Sequence, residues 1–177
     1  MTPLRTRRGG AYYRVCDPSW EDPGDTSFSK SAGGRWNAKG EFGALYLNAT
    51  IEVAAANARR SLRQHFGDVV TFSDIRPERR PDLQVFTVRS HLFVDAISDK
   101  GLSALALPDS YPRGATKAAC QAVSRILYRA HEAGIAVRSA VAHSGEELAI
   151  FDTHVRQLAK MKRNGRISFP SWYPGLF

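Results

Sequence analysis

Residues 33–62 read GGRWNAKGEFGALYLNATIEVAAANARRSL, and a change of period inside this stretch decides the fold. ALYLN at 44–48 is short, apolar and aromatic, which predicts a strand. Thr50 then offers a hydroxyl to an orphan backbone N–H, the usual start of a helix. From there Ile51, Ala54, Ala55, Ala58 and Leu62 recur at helical spacing and form one narrow stripe. Because the stripe is mostly alanine, the helix can approach its neighbours closely. At 100° per residue Asn57 falls about 60° from Ala54, on the edge of that stripe, while Glu52 lies about 140° from Asn57.

Working outward, residues 11–16 (AYYRVC) predict a strand with Arg14 set among aromatic and β-branched neighbours. Pro, Gly, Asp and Ser dominate 17–44, which predicts a long loop of the kind that usually carries function. Strands are expected at 83–88 and 92–96, and a turn at 108–114. A helix is expected over 115–133, with Ala118, Ala119, Ala122, Ile126 and Ala130 as its apolar face and Gly134 as its stop. Residues 135–142 and 147–152 read as two strands joined by an HSGE turn. Strands outnumber helices and the order is mixed, so the expectation is an α+β fold. No linker or repeat divides the 177 residues. One domain is expected over 1–177, its motifs lying at about 11–152, with a basic C-terminal extension at 153–177.

A chain of this length hides roughly two-thirds of its unfolded surface. Its 43% hydrophobic and 24% charged residues are those of a globular protein. No run of apolar residues is long enough for a membrane helix, and MTPLRTRRGG lacks the apolar core of a secretory signal. Two cysteines, Cys16 and Cys120, are too few for a disulfide framework, so a reduced cytoplasm is the expected compartment.

The net charge of +8 is unevenly spread. Residues 1–89 carry +4, 90–152 carry −1, and 153–177 carry +5 with no acid at all. Solvated terminal charge accounts for this most simply, and an acidic partner or an anionic small molecule is the alternative. No stacking-aromatic pattern accompanies the charges, so direct nucleic-acid binding is a minor reading.

The five histidines never pair at metal-ligand spacing, so no metal is expected. Ser139 lacks a nucleophile-elbow context, and no dinucleotide or phosphate-loop glycine pattern is present. The GGRWN segment is more informative. Gly33 and Gly34 let backbone approach a ligand closely. Arg35 can present a planar fork of donors to phosphate or carboxylate, with a structural ion pair as the competing role. Trp36 fits a core position, and Tyr46 either stacks on a ligand or joins the core. Two arginines, Arg14 and Arg35, without acids nearby in sequence suggest a pyrophosphate.

YRV around Arg14, GGRWNAKG, and ALYLNAT running into an alanine-rich helix together resemble the RES domain. So do SYP at 110–112, CQAVSRIL at 120–127, Gly134–Ile135, RSA at 138–140 and ELAIFD at 147–152. RES domains are toxins of bacterial RES–Xre toxin–antitoxin pairs, named for an Arg, a Glu and a Ser. The resemblance implies a fold similar to ADP-ribosyltransferases of the diphtheria-toxin kind, a split mixed β-sheet flanked by helices. It implies NAD as substrate, with no permanently bound cofactor, consumed by hydrolysis or phosphorolysis or used to ADP-ribosylate a protein. It also implies an Xre-type helix-turn-helix antitoxin in a hetero-oligomer, through which alone nucleic acid would be met.

Carried over by position, Arg14 and Arg35 would face NAD phosphates or ribose, with Gly34 and Asn37 beside them. Tyr46 would lie on the nicotinamide side and Ser139 would be the family's Ser. The family's Glu position is occupied by Asn57, with Glu52 as the alternative acid. Asn can hydrogen-bond a ribose hydroxyl but brings no charge and is no base. Three readings stay open on this basis: an NAD-cleaving toxin, a protein ADP-ribosyltransferase, and a catalytically silent binding module.

Overall fold

The computed structural model describes residues 2–67 and 74–173. Among the described residues six strands and six α-helices alternate irregularly: β1 (Arg5–Cys16), α1 (Ser27–Ala32), β2 (Ala44–Asn48), α2 (Ile51–Phe66), β3 (Asp82–Ala96), α3 (Asp99–Ala104), α4 (Lys117–Arg129), β4 (Gly134–Arg138), β5 (Glu146–Phe151), α5 (Asp152–Leu158), β6 (Ala159–Ile167) and α6 (Phe169–Trp172). The strands form one mixed sheet in the order β1-β2-β5-β4-β3-β6, with β1 also paired to β3. Only β3 and β4 run parallel. The expected α+β class with a mixed sheet is the one observed.

The double pairing of β1 shapes the sheet. β1 runs antiparallel to β3 along almost its whole length, yet touches β2 through the single pair Tyr13↔Asn48. On its other edge β3 bonds β6 through Leu83 to Val88 and β4 through Val94 to Ala96. One long strand therefore joins two half-sheets. The sequence suggested two strands here because Arg89, Ser90 and His91 are polar. They instead form the exposed middle of a continuous strand, opposite a bulge in β1 between Arg8 and Gly10. Gly10 has φ of 103°, which glycine adopts without steric cost.

The helices follow their local chemistry. Thr50 Oγ1 accepts from Val53 N at 3.3 Å and caps α2 as expected. Ala54, Ala55 and Ala58 are buried, packed in one cluster with Leu83, Phe169 and Trp172. For α4 the expected face is the wrong one. Cys120, Val123, Ser124 and Leu127 point inward, while Ala118, Ala119, Ala122 and Ala130 are exposed and Ile126 is 53% accessible. Small alanines gain little from burial, so the larger Val123 and Leu127 set the rotation. The helix also ends at Arg129, short of the expected 133.

The segment expected as a basic extension belongs to the sheet instead. Its residues 153–173 supply most of α5, all of β6 and α6, and Trp172 and Tyr173 are buried. Residues 174–177 lie outside the described residues. Lys160, Lys162 and Arg163 leave β6, an edge strand, exposed and strongly positive, as suits an edge that must avoid unwanted pairing. Behind β2 and β5, Phe42 stacks on Tyr128 at 4.1 Å and meets Phe151 edge-on at 5.3 Å. Asp152 ties this corner down by accepting from Gly43 N at 2.8 Å and from the Tyr128 hydroxyl at 3.0 Å.

Candidate active site

A cleft of about 500 Å³ opens where β1, β2, the end of β4 and the start of β5 meet the 28–36 segment and α2. A volume in this range suits a ligand of small-molecule or cofactor size. Strand register sets its floor. Asn48 stands opposite Glu147, and Glu147 opposite Val137. Tyr46 is two residues before Asn48 and so shares its face of β2.

The wall carrying Arg35 is a tightly wound loop. Gly34 N donates to Asn37 O at 2.9 Å, and the Gln121 side chain of α4 reaches in to Gly34 O at 2.8 Å and Asn37 O at 3.2 Å. Tyr46 locks this loop to β2: its hydroxyl donates to Asn37 Oδ1 at 2.7 Å and accepts from Trp36 N at 2.9 Å. Burial pushes the Tyr46 phenol well above its usual range, with the negative charge of Glu147 adding to the rise. Gly34 is required by contact: a Cβ there would lie 2.6 Å from Asn37 Oδ1 and 2.7 Å from Tyr46 Cζ.

Arg14 is only 8% exposed. Its guanidinium lies 5.1 Å from the centroid of Trp20 and donates to the carbonyls of Pro23 and, at 3.3 Å, Asp25. Burial lowers its pKa, opposed by the neighbouring Cys16, Asp25 and Asp22. Arg35 gives one Nη1 bond at 3.3 Å to Ala115 O. Four arginines line the cleft: Arg14, Arg35, Arg60 and Arg138. Arg138 is ion-paired with Asp99, whereas Arg14, Arg35 and Arg60 form no ion pair among the described residues. Arg14 is balanced in part by Asp22 and Asp25, and the positive charge of Arg35 and Arg60, outside any ion pair, fits an anionic ligand.

Asn57 projects from α2 into the cleft. Its Nδ2 donates to Asn48 Oδ1 at 2.8 Å and to Glu147 Oε1 at 3.0 Å. Glu147 is the one acid among the residues lining this cleft.

Against known proteins, residues 11–171 match the RES domain. The chain belongs to the RES domain family. Its fold is similar to a chain in the crystal structure of the M. tuberculosis MbcT–MbcA toxin–antitoxin complex, with a TM-score of 0.76 over 93% of this chain and 86% of that one, at 19% identity. No curated protein matches the sequence significantly. The RES match extends past the motifs quoted above and includes β6 and most of α6, in keeping with their place in the sheet.

Within this RES domain, the cleft gathers Arg14, Gly34, Arg35, Tyr46 and Asn57, from positions spread over more than forty residues. Three other residues singled out from the sequence do not line it, although Ser139 sits between Arg138 and Ala140, which do. Asn37 is wholly buried: its Nδ2 donates to Ser29 O at 2.7 Å and Phe42 O at 3.1 Å, so it ties the loop together from inside. Ser139 lines a neighbouring hollow of about 540 Å³, and its Oγ accepts from Val141 and Ala142 N, both at 3.2 Å, shaping the turn after β4. Glu52 is exposed in the first turn of α2, where the Thr50 hydroxyl holds its carboxyl below the usual range. It does not line the cleft, as its angle from Asn57 implies.

The RES cleft also contains residues that the sequence reading passed over: Glu147, Trp20, Phe28, Arg60 and Tyr111. For Glu147 the signal was present. It is a charge abutting the apolar run LAIF, the same pattern that singled out Arg14 within AYYRVC.

Proposed function

We propose that this RES domain is the toxin of a toxin–antitoxin pair and that it binds NAD in the arginine-lined cleft and cleaves the nicotinamide–ribose bond. The observation that carries this reading is the set Arg14, Arg35 and Arg60, which bring positive charge without an ion pair among the described residues to a cleft lined also by Trp20, Phe28, Tyr46 and Tyr111. A dinucleotide offers a matching pattern, with a doubly charged pyrophosphate between two flat rings. Arg35, held only by a long bond to the Ala115 carbonyl and by the Cys120 thiol, takes the pyrophosphate as a planar fork. Arg14 is held in place by Trp20 and the Pro23 carbonyl and supports the charge from deeper in the cleft. Tyr46, with its hydroxyl committed to Asn37 and Trp36, offers only its ring, against the nicotinamide side.

On this reading the mixed sheet is a variant of the ADP-ribosyltransferase sheet, the chain works in the cytoplasm, and its partner is an Xre-type antitoxin. The fold it shares with a chain of a toxin–antitoxin complex supports the partner. The basic β6 edge suits an acidic antitoxin surface. Expression in a bacterial host is expected to lower cellular NAD several-fold and to arrest growth, with Arg35→Ala expressed at the same level harmless. Growth arrest with NAD unchanged would assign the toxicity to another chemistry.

A silent binding module is the second reading, favoured by one observation: the side chain with which α2 meets Glu147 in the cleft is an amide. NAD binding without any nicotinamide release would establish it.

A further inference from the structure

We propose that Glu147, from β5, is the catalytic carboxylate of this cleft, and that Asn57 is its positioning residue. The inference rests on the NAD-cleaving reading above and names the group that reading lacks. Breaking a nicotinamide–ribose bond leaves positive charge on the ribose, and a carboxylate fixed beside it stabilises that charge. Glu147 is the only acid among the residues lining the cleft.

The hydrogen bonds around it have a forced polarity. Tyr13 O can only accept, so the amide nitrogen of Asn48 faces it, at 2.9 Å. Asn48 Oδ1 is thereby turned toward α2, where it needs a donor. Asn57 Nδ2 supplies one at 2.8 Å, and its second hydrogen points to Glu147 Oε1 at 3.0 Å. The train Tyr13–Asn48–Asn57–Glu147 thus ends on an oxygen of Glu147 as its acceptor. Asn57 is fitted to Glu147, and a carboxylate at position 57 would face an acceptor on each side. The amide on α2 is therefore half of a pair whose other half carries the charge. The field of Glu147 also reaches Tyr46 and Tyr111, adding to the upward shifts that burial produces in both phenols. That places the charge beside the aromatic wall assigned to nicotinamide.

The step balances with water as acceptor. The C1′–N1 bond breaks, and its electron pair neutralises the pyridinium nitrogen and releases nicotinamide. The oxocarbenium ribose is held opposite Glu147. Water forms the new C1′–O bond and loses one proton to solvent, giving ADP-ribose. Inorganic phosphate in place of water gives the ribosyl phosphate.

The test measures nicotinamide release and NAD-induced melting shift for the full-length chain and three variants. Glu147→Gln keeps the bond from Asn57 but removes the charge. It is expected to bind NAD within about threefold of wild type while kcat falls by about 10²–10³. Glu147→Asp, which retains the charge, is expected to release nicotinamide at least ten times faster than Glu147→Gln, and it stands in should the glutamine variant fail to fold. Asn57→Ala is expected to lower kcat by about tenfold with KM and the NAD-induced melting shift unchanged, and the melt of the unliganded variant separates this from loss of folded protein, which also lowers apparent kcat at constant KM. An active wild type with Glu147→Gln equally fast, or with the Asp and Gln variants equally slow, overturns the role of Glu147 and leaves NAD cleavage standing. A wild type that neither binds nor cleaves NAD overturns both.

Discussion

Gly34→Ala is expected to lower Tm by about 6–20 °C and to abolish NAD cleavage. The new methyl group has nowhere to go. It would meet Asn37 Oδ1 at 2.6 Å and Tyr46 Cζ at 2.7 Å, and the Tyr46 hydroxyl is closer still. Relief requires Tyr46 to leave, which breaks its bonds to Asn37 and to Trp36 N and strands Asn37, a wholly buried amide. Overpacking costs about 1–3 kcal/mol and each of the two lost hydrogen bonds about 1 kcal/mol, so a total of roughly 3–5 kcal/mol is expected. In a chain of this size each kcal/mol is worth about 2–4 °C. Calorimetry or a fluorescence melt measures the shift. A Tm within 2 °C of wild type would show that the Tyr46–Asn37 lock does not hold the loop.

Arg35→Ala is expected to weaken NAD binding by roughly 30- to 1000-fold while leaving the fold intact. Charge-assisted contacts to a phosphate are worth about 2–4 kcal/mol when one partner is removed, at about 1.4 kcal/mol per factor of ten. The structure makes Arg35 separable from stability, since its partners are a carbonyl 3.3 Å away and the thiol of Cys120. Arg14 is a poorer probe, because its guanidinium also holds the Pro23 and Asp25 carbonyls and packs on Trp20. Titration calorimetry with NAD, alongside a melt of the unliganded variant, separates the two effects. Binding unchanged within threefold would remove Arg35 from the site.

Much of this was legible where the signal is local. The Thr50 cap, the alanine stripe of α2 and the strands flanking it follow from period and capping chemistry, and they carry Tyr46 and Asn57 to the cleft. Signals with competing readings fared worse. The exposed middle of β3 looks like a break because its partner, the bulge at Gly10, is distant in sequence. On α4 alanines marked an apolar face, yet Val123 and Leu127 decide which side is buried. Asn37 and Arg35 are two residues apart and equally polar, but the amide turns inward to Ser29 and Phe42 while the guanidinium remains in the cleft. That choice depends on which carbonyls the folded loop presents. Glu147 escaped notice because its partner Asn57 is ninety residues earlier in the chain, and no spacing rule spans that distance.

Net charge proved less telling than placement. The C-terminal positive excess sits on an edge strand of the sheet, and the arginines that matter to the cleft come from β1, the 33–37 loop and α2.

The most direct test of NAD cleavage is to incubate the purified chain with NAD and separate the products by chromatography. Nicotinamide should appear in step with NAD loss, matched one-to-one by ADP-ribose, or by a ribosyl phosphate when inorganic phosphate is present. Undiminished NAD, together with no NAD-induced rise in Tm, would contradict the account.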